Sequence, residues 1–160
     1  MIYIYGSGGR GKLIKELLLR RKKLSKNIIF IDDYKKKYKK TNYLIKNFRS
    51  NKDQLFIGIL NPKIQKKKYL FFKKRLKQID NKPLVDPKAV IKSKVKLGKN
   101  VIILENASIG PNTNIGRNVF IGSRAIINHD SKIGSFSTIG HGANIAGKVR
   151  INENCIIGIL

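Results

Sequence analysis

The chain has 160 residues, 41% of them hydrophobic, one cysteine, and a formal net charge of +26. That length holds one or two modest cores. It contains no apolar run as long as a membrane span, no charged-then-apolar leader, and no second cysteine for an internal disulfide. The lone Cys155 fits a cytoplasmic protein and reads as a packed core thiol.

The charge is uneven. Residues 1–82 carry 25 basic and 5 acidic side chains, against 10 and 4 in the remainder. A half this basic attracts nucleic acid, anionic lipid or small polyphosphates. Lys outnumbers Arg 27 to 8, as expected where AT-rich codons dominate. No motif with base-reading or stacking geometry accompanies the charge, so no nucleic-acid partner is expected.

In chain order, Ile2-Tyr3-Ile4-Tyr5 reads as a short buried strand running into Gly6-Ser7-Gly8-Gly9-Arg10-Gly11 and then a helix over Lys12 to Leu19. Strand, glycine loop and helix make the phosphate-binding turn: glycines admit an anion to the backbone, and the helix start presents free N–H groups. A second strand over Asn27 to Ile31 ends in Asp32-Asp33, about where an acid meets a ribose or base. Tyr34 to Asp53 is a basic excursion with a short strand at Tyr43-Leu44-Ile45. A strand over Leu55 to Leu60 stops at Asn61-Pro62. A helix follows over Lys63 to Gln78, with an apolar stripe of Ile64, Tyr69, Leu70, Phe72 and Leu76. Pro83-Leu84-Val85 is a last short strand before Asp86-Pro87. Residues 1–82 thus read as a small Rossmann-like α/β unit with too few strands for a whole dinucleotide, which suits a nucleotide sugar better than NAD.

From Val85 every sixth residue is a branched aliphatic, through Ile103, Ile121 and Ile139 to Ile157. Four places after each stands a small or β-branched residue, such as Ala107, Ser131 or Cys155, and Gly often follows the aliphatic, as in Ile121-Gly122. This hexapeptide repeat is the signature of a parallel β-helix. Three hexads wind one triangular coil, with the aliphatics pointing inward and stacking from coil to coil. A period of six fits neither an amphipathic helix nor a plain strand.

The clearest departure from the repeat is Asn128-His129-Asp130, where an imidazole follows an inward aliphatic. An imidazole takes a proton from an attacking amine or hydroxyl as it meets a thioester, and an adjacent carboxylate holds the required tautomer. His141, twelve residues on, falls on another prism face and reads as an exposed turn residue.

Together Ile4-Tyr5-Gly6-Ser7-Gly8-Gly9-Arg10-Gly11, Phe30-Ile31-Asp32-Asp33 and Asn128-His129-Asp130 resemble the sialic-acid O-acetyltransferase-like sugar acyltransferases. Among these the pattern is most similar to the UDP-4-amino-sugar N-acetyltransferases of bacterial bacillosamine biosynthesis. The resemblance runs the whole chain, including Asp86-Pro87-Lys88-Ala89 and Ile145-Ala146-Gly147. It implies a homotrimer using acetyl-CoA, with a nucleotide-sugar domain over 1–82 and a left-handed β-helix over 83–160, serving surface glycan assembly. By that resemblance His129 is the general base and Asp130 orients it. Gly8, Gly9, Arg10, Asp32 and Asp33 hold the UDP-amino sugar, Thr138, Gly147 and Ile159 line the acyl-CoA site, and no metal is implied.

The chain departs from the family pattern at Gly122, where Asn is usual, at Thr138, where a second His is usual, and at Leu60, where Gly ends the third strand. It also stops at Ile157-Gly158-Ile159-Leu160, in mid-coil and without the polar cap that closes a repeat array. The β-helix is therefore expected to be truncated relative to the family. The alternative expectation is a truncated, non-catalytic nucleotide-sugar-binding homologue. The sugar, and the choice between N- and O-acylation, stay open.

Overall fold

The computed structural model describes residues 1–21 and 27–158. The chain divides into two compact units, Met1–Asn81 and Lys82–Leu160.

In the first unit β1 (Ile2–Tyr5), β2 (Ile28–Ile31) and β3 (Gln54–Ile57) form a parallel sheet in the order β2-β1-β3. The crossover from β1 to β2 is α1 (Gly9–Arg20), that from β2 to β3 contains α2 (Thr41–Asn47), and α3 (Pro62–Leu76) follows β3. Central β1 is buried along its whole length, which is why its four residues read as a continuous apolar run rather than an alternation. With β1 between β2 and β3, the chain direction across the sheet reverses at β1. The carboxyl ends of β1 and β3 thus flank the switch point where ligands of such sheets bind. Three glycines meet there. Gly6 has φ +96°, a Cβ on Gly11 would collide with the Gly6 carbonyl oxygen, and a Cβ on Gly58 would lie 2.6 Å from the Gly11 Cα. The first helical turn and the end of β3 are therefore packed backbone to backbone.

Two expectations for this unit are corrected. The segment containing Tyr43-Leu44-Ile45 is helical, not a strand. Thr41 donates its backbone N–H and its hydroxyl to Asp33, each at 2.8 Å, so a carboxylate eight residues upstream satisfies the first helical turn. The buried face of α3 is Pro62, Gln65, Tyr69, Phe72 and Leu76, whereas Ile64 and Leu70 are about half exposed, at 48% and 54%. The helix starts at a Pro in its first turn, with the Asn61 side chain accepting from the Ile64 N–H at 3.1 Å. That phase turns Ile64 outward. At the other end of the sheet Asp53 is buried and accepts from the amino group of Met1 at 2.6 Å and from the Arg49 backbone N–H at 2.8 Å. Burial alone would raise its pKa, but these bonds and the Arg49 guanidinium lower it to about 2.

The second unit is a parallel β-solenoid of two-residue strands on three sheets. One sheet stacks β4 (Leu84–Val85), β7 (Ile102–Ile103), β10 (Phe120–Ile121), β13 (Thr138–Ile139) and β16 (Ile156–Ile157). A second stacks β5 (Val90–Ile91), β8 (Ser108–Ile109), β11 (Ile126–Ile127) and β14 (Asn144–Ile145). The third stacks β6 (Lys96–Leu97), β9 (Asn114–Ile115), β12 (Lys132–Ile133) and β15 (Arg150–Ile151). Every register partner lies eighteen residues away, as Phe120 pairs with Thr138 and Ile121 with Ile139. The second residue of each strand is the inward aliphatic, and from Ile103 to Ile151 these form one buried column with Val101, Ala107, Val119, Ala125 and Ala143. At each corner from residue 94 to 154 one residue in six adopts a positive φ near +60°. Asn fills that slot at 100, 106, 112, 118 and 154, the residue besides Gly that tolerates it best. The recurring Gly after the aliphatic is steric: a Cβ at Gly110 or Gly122 would lie 2.6 Å from the backbone nitrogen of His129 or His141 in the next coil. At Gly122 the backbone leaves no room for the Asn that the resemblance led one to expect. No helix among the described residues is long and apolar enough to cross a membrane.

Candidate active site

His129 and Asp130 lie at the corner between β11 and β12. Asp130 occupies the positive-φ slot, with φ 58°, and its backbone N–H donates to the Pro111 carbonyl at 3.0 Å. The turn swings its carboxylate beside the preceding imidazole, and His129 Nδ1 lies 2.7 Å from Asp130 Oδ2. A carboxylate only accepts, so in the neutral imidazole Nδ1 carries the proton and Nε2 is left with a lone pair. The other carboxylate oxygen accepts from Asn112 Nδ2 at 3.1 Å, from one coil earlier. The hydrogen bonds from His129 and then Asn112 hold the Asp130 carboxyl below its ordinary pKa, so it stays ionised and fixes the tautomer. Both side chains are about half exposed, His129 at 52% and Asp130 at 42%, and the imidazole is open to solvent.

One coil later Gly147 supplies the surface on which the imidazole rests. A Cβ there would sit 2.6 Å from His129 Nε2. Gly147 was expected to line the acyl-CoA groove; in this structure its missing side chain is what leaves Nε2 its place. The backbone around it is held on both sides. Lys148 N–H donates to the His129 carbonyl at 2.8 Å, while Ser131 Oγ donates to the Ala146 carbonyl at 3.0 Å and accepts from Val149 N–H at 3.2 Å. Asn112 and Ser131 were missed by reading along the chain. Their signal is register: Asn112 is eighteen residues before Asp130, and Ser131 is the inward slot beneath the dyad.

His141 does different work. Its Nδ1 accepts the Ser123 backbone N–H at 3.1 Å, so its remaining ring nitrogen is the protonated one at neutral charge. The Ser123 hydroxyl in turn donates to Glu105 at 2.7 Å. This column of residues 105, 123 and 141 is a polar ladder across coils, and it leaves His129 as the histidine with a free lone pair. Thr138 lies in β13 and is buried, at 3% exposure. Ile159 lies outside the described residues. Over the third sheet runs a shallow groove of about 490 Å³, bordered by Lys132, Arg150, Ser135 and Glu153.

In the α/β unit Gly8 and Gly9 are exposed at the start of α1, and no atom lies within 4 Å of a Cβ placed on either. The helix start is thus bare of side chains at these two positions, where the first backbone N–H groups have no partner within the helix. Arg10 turns inward instead: it is buried, donates Nη1 to the Ile59 carbonyl at 2.9 Å, and has its pKa lowered to about 10 by desolvation. It clamps the glycine loop to the chain after β3. Asp32 Oδ2 accepts the Ser7 N–H at 3.1 Å and the Ser7 hydroxyl at 2.6 Å, and its Oδ1 accepts from Tyr34 N–H at 3.1 Å and Lys35 N–H at 3.2 Å. Asp33 accepts from the Tyr5 hydroxyl at 2.7 Å and from Thr41, and Lys68 lies 3.6 Å away. For both, burial acts to raise the pKa, and the hydrogen bonds outweigh it and leave the carboxyl below its ordinary value. The acid pair therefore organises the loop and α2 from within. Leu60 points outward, at 59% exposure.

The comparisons with known proteins follow this division. Residues 1–70 match the PglD N-terminal domain, and residues 112–147 match the bacterial transferase hexapeptide family. No curated protein matches the chain in sequence. Among solved structures, WeeI from Acinetobacter baumannii is similar with a TM-score of 0.85 at 24% identity, over 99% of this chain and 78% of that one. The acetyltransferase domain of PglB from Neisseria gonorrhoeae gives 0.81 at 17% identity, over 99% and 88%. PerB from Caulobacter crescentus, solved with CoA and GDP-perosamine, gives 0.75 at 19% identity, over 99% and 86%. The first unit thus matches the PglD N-terminal domain over most of its length, and the solenoid carries a match to bacterial transferase hexapeptide repeats.

Proposed function

We propose that this protein transfers an acetyl group from acetyl-CoA to an amino or hydroxyl group of a nucleotide-activated sugar, with His129 as general base. The observation that carries the reading is the His129–Asp130 contact, which commits Nδ1 to a carboxylate and leaves Nε2 an exposed proton acceptor. Nε2 accepts the proton of the attacking amine or hydroxyl as the nucleophile adds to the thioester carbonyl. The imidazolium, stabilised by Asp130, returns that proton to the departing CoA thiolate. The backbone N–H groups at Gly8 and Gly9 receive the sugar nucleotide's diphosphate. The structural likeness to PerB, solved with CoA and a nucleotide sugar, supports the choice of substrates. A homotrimer acting in the cytoplasm is part of the same proposal.

The test is to incubate the protein with acetyl-CoA and UDP- or GDP-linked amino sugars and follow free thiol. His129→Ala is expected to lower kcat about 10²- to 10⁴-fold with an unchanged melting temperature. Thiol release by the variant at the wild-type rate would remove His129 from the chemistry. Sugar-nucleotide binding without acetyl-CoA binding, read by calorimetry, would select the non-catalytic alternative.

A further inference from the structure

We infer that Tyr34 is the stacking platform for the base of the sugar nucleotide, an inference that rests on the nucleotide-sugar reading above and names a residue for the part of the ligand that the acid pair does not hold. Asp32 and Asp33 spend their hydrogen-bonding capacity inside the protein, so the base and ribose need another recognition group near the glycine loop.

Tyr34 is 91% exposed, more so than any other large apolar side chain described. An amphipathic ring left in water is a surface waiting for a flat apolar partner. Its backbone, by contrast, is held from several sides. Tyr34 N–H and Lys35 N–H both donate to Asp32 Oδ1. Lys40 Nζ donates to the carbonyls of Asp32 at 2.8 Å, Asp33 at 3.3 Å and Lys35 at 2.8 Å. Tyr38 N–H closes the turn on the Lys35 carbonyl at 3.1 Å. A free ring on a rigid mount loses little backbone entropy when a ligand arrives.

Position completes the argument. The opposite oxygen of the Asp32 carboxylate takes the Ser7 N–H and hydroxyl, so a single carboxylate joins the Tyr34 turn to the glycine loop. Both follow the carboxyl ends of adjacent parallel strands, β1 and β2. A diphosphate at Gly8 and Gly9 has its nucleoside one ribose away, along this strand edge. Stacking is tolerant of base identity because every base has a π-face, so the platform serves uracil or guanine alike.

The experiment titrates UDP and GDP into the full chain and into Tyr34→Phe and Tyr34→Ala, with thermal melting of all three. Tyr34→Phe is expected to bind within about twofold of wild type and Tyr34→Ala about 10- to 100-fold more weakly, with melting temperatures unchanged. UDP binding by Tyr34→Ala equal to wild type would overturn the platform while leaving the nucleotide-sugar reading intact. Equal loss in Tyr34→Phe would overturn stacking in favour of the hydroxyl. A large drop in the melting temperature of Tyr34→Ala would show the ring to be part of the fold and overturn the proposal. A wild-type chain that binds neither nucleotide would sink the nucleotide-sugar reading itself.

Discussion

In the α/β unit Asp32 and Asp33 take hydrogen bonds from Ser7, Tyr34, Lys35, Tyr5 and Thr41 and hold the glycine loop, the turn after β2 and the start of α2 together. In the β-solenoid Asp130 takes one from a neighbouring coil and one from His129 and stays about half exposed. The difference follows from how each unit is built. A three-stranded sheet with short crossovers leaves many backbone N–H groups at its edge without a ladder partner, and buried donors must be satisfied. A solenoid satisfies its backbone from coil to coil, so an acid at a corner is not needed by the fold. Polar groups in the first unit are therefore largely structural, and those at the second unit's corner are available for chemistry.

The comparison can be tested at three depths. The largest stability effect is expected from Ile121→Ala, in the buried column of the solenoid, where the side chain is fully buried. Loss of a buried Ile costs about 2–5 kcal/mol, read as a fall in the denaturant midpoint. A smaller effect is expected from Asp53→Asn. Its folded pKa is depressed to about 2, so its contribution is present above the ordinary carboxylate pKa and is lost as pH falls through about 2. Wild type should exceed the variant by about 2 kcal/mol at pH 7, and the two curves should converge near pH 2. The smallest effect is expected from Asn112→Ala, which leaves the melting temperature alone and lowers kcat about fivefold, with KM unmoved. Without the Asn112 bond the Asp130 carboxyl titrates at higher pH, so the lowest-pH step of the kcat profile, where Asp130 takes up a proton, moves upward. A stability loss in place of that shift would make Asn112 a fold residue and erase the contrast.

What was legible in the residues follows the same contrast. In the solenoid, reading every sixth residue placed the inward aliphatics, the small fourth slot and the corner His correctly, because a single local period governs all coils. Asn112 and Ser131 escaped because their partners lie a coil away, Asp130 for the one, and Ala146 and Val149 for the other. The Asn residues at 100, 106, 112 and 118 carried a second six-residue period, marking the corners. In the α/β unit local patterns misled. Tyr43 to Ile45 has strand-forming residues, yet Asp33 supplies a helix start from outside the segment. The apolar Ile64 and Leu70 suggested a stripe, yet capping by Asn61 and Pro62 fixed a phase that buries Gln65 instead. Asp32-Asp33 stands where a ribose-binding acid is expected, but only the folded loop shows Ser7 and Thr41 as its partners.

Asp130 shares its backbone geometry with Asn100, Asn106, Asn112, Asn118 and Asn154. The slot that holds the acid is one the scaffold fills with a short polar side chain at many addresses, so installing the dyad there required no new path for the chain. Moving the same pair by eighteen residues would carry it along the prism axis by one strand spacing, about 4.8 Å, and leave its orientation intact. Reach toward a substrate is in that sense a stepwise coordinate, adjustable by whole coils, and two chains of this architecture could differ in the length of ligand they serve while every corner keeps the same shape.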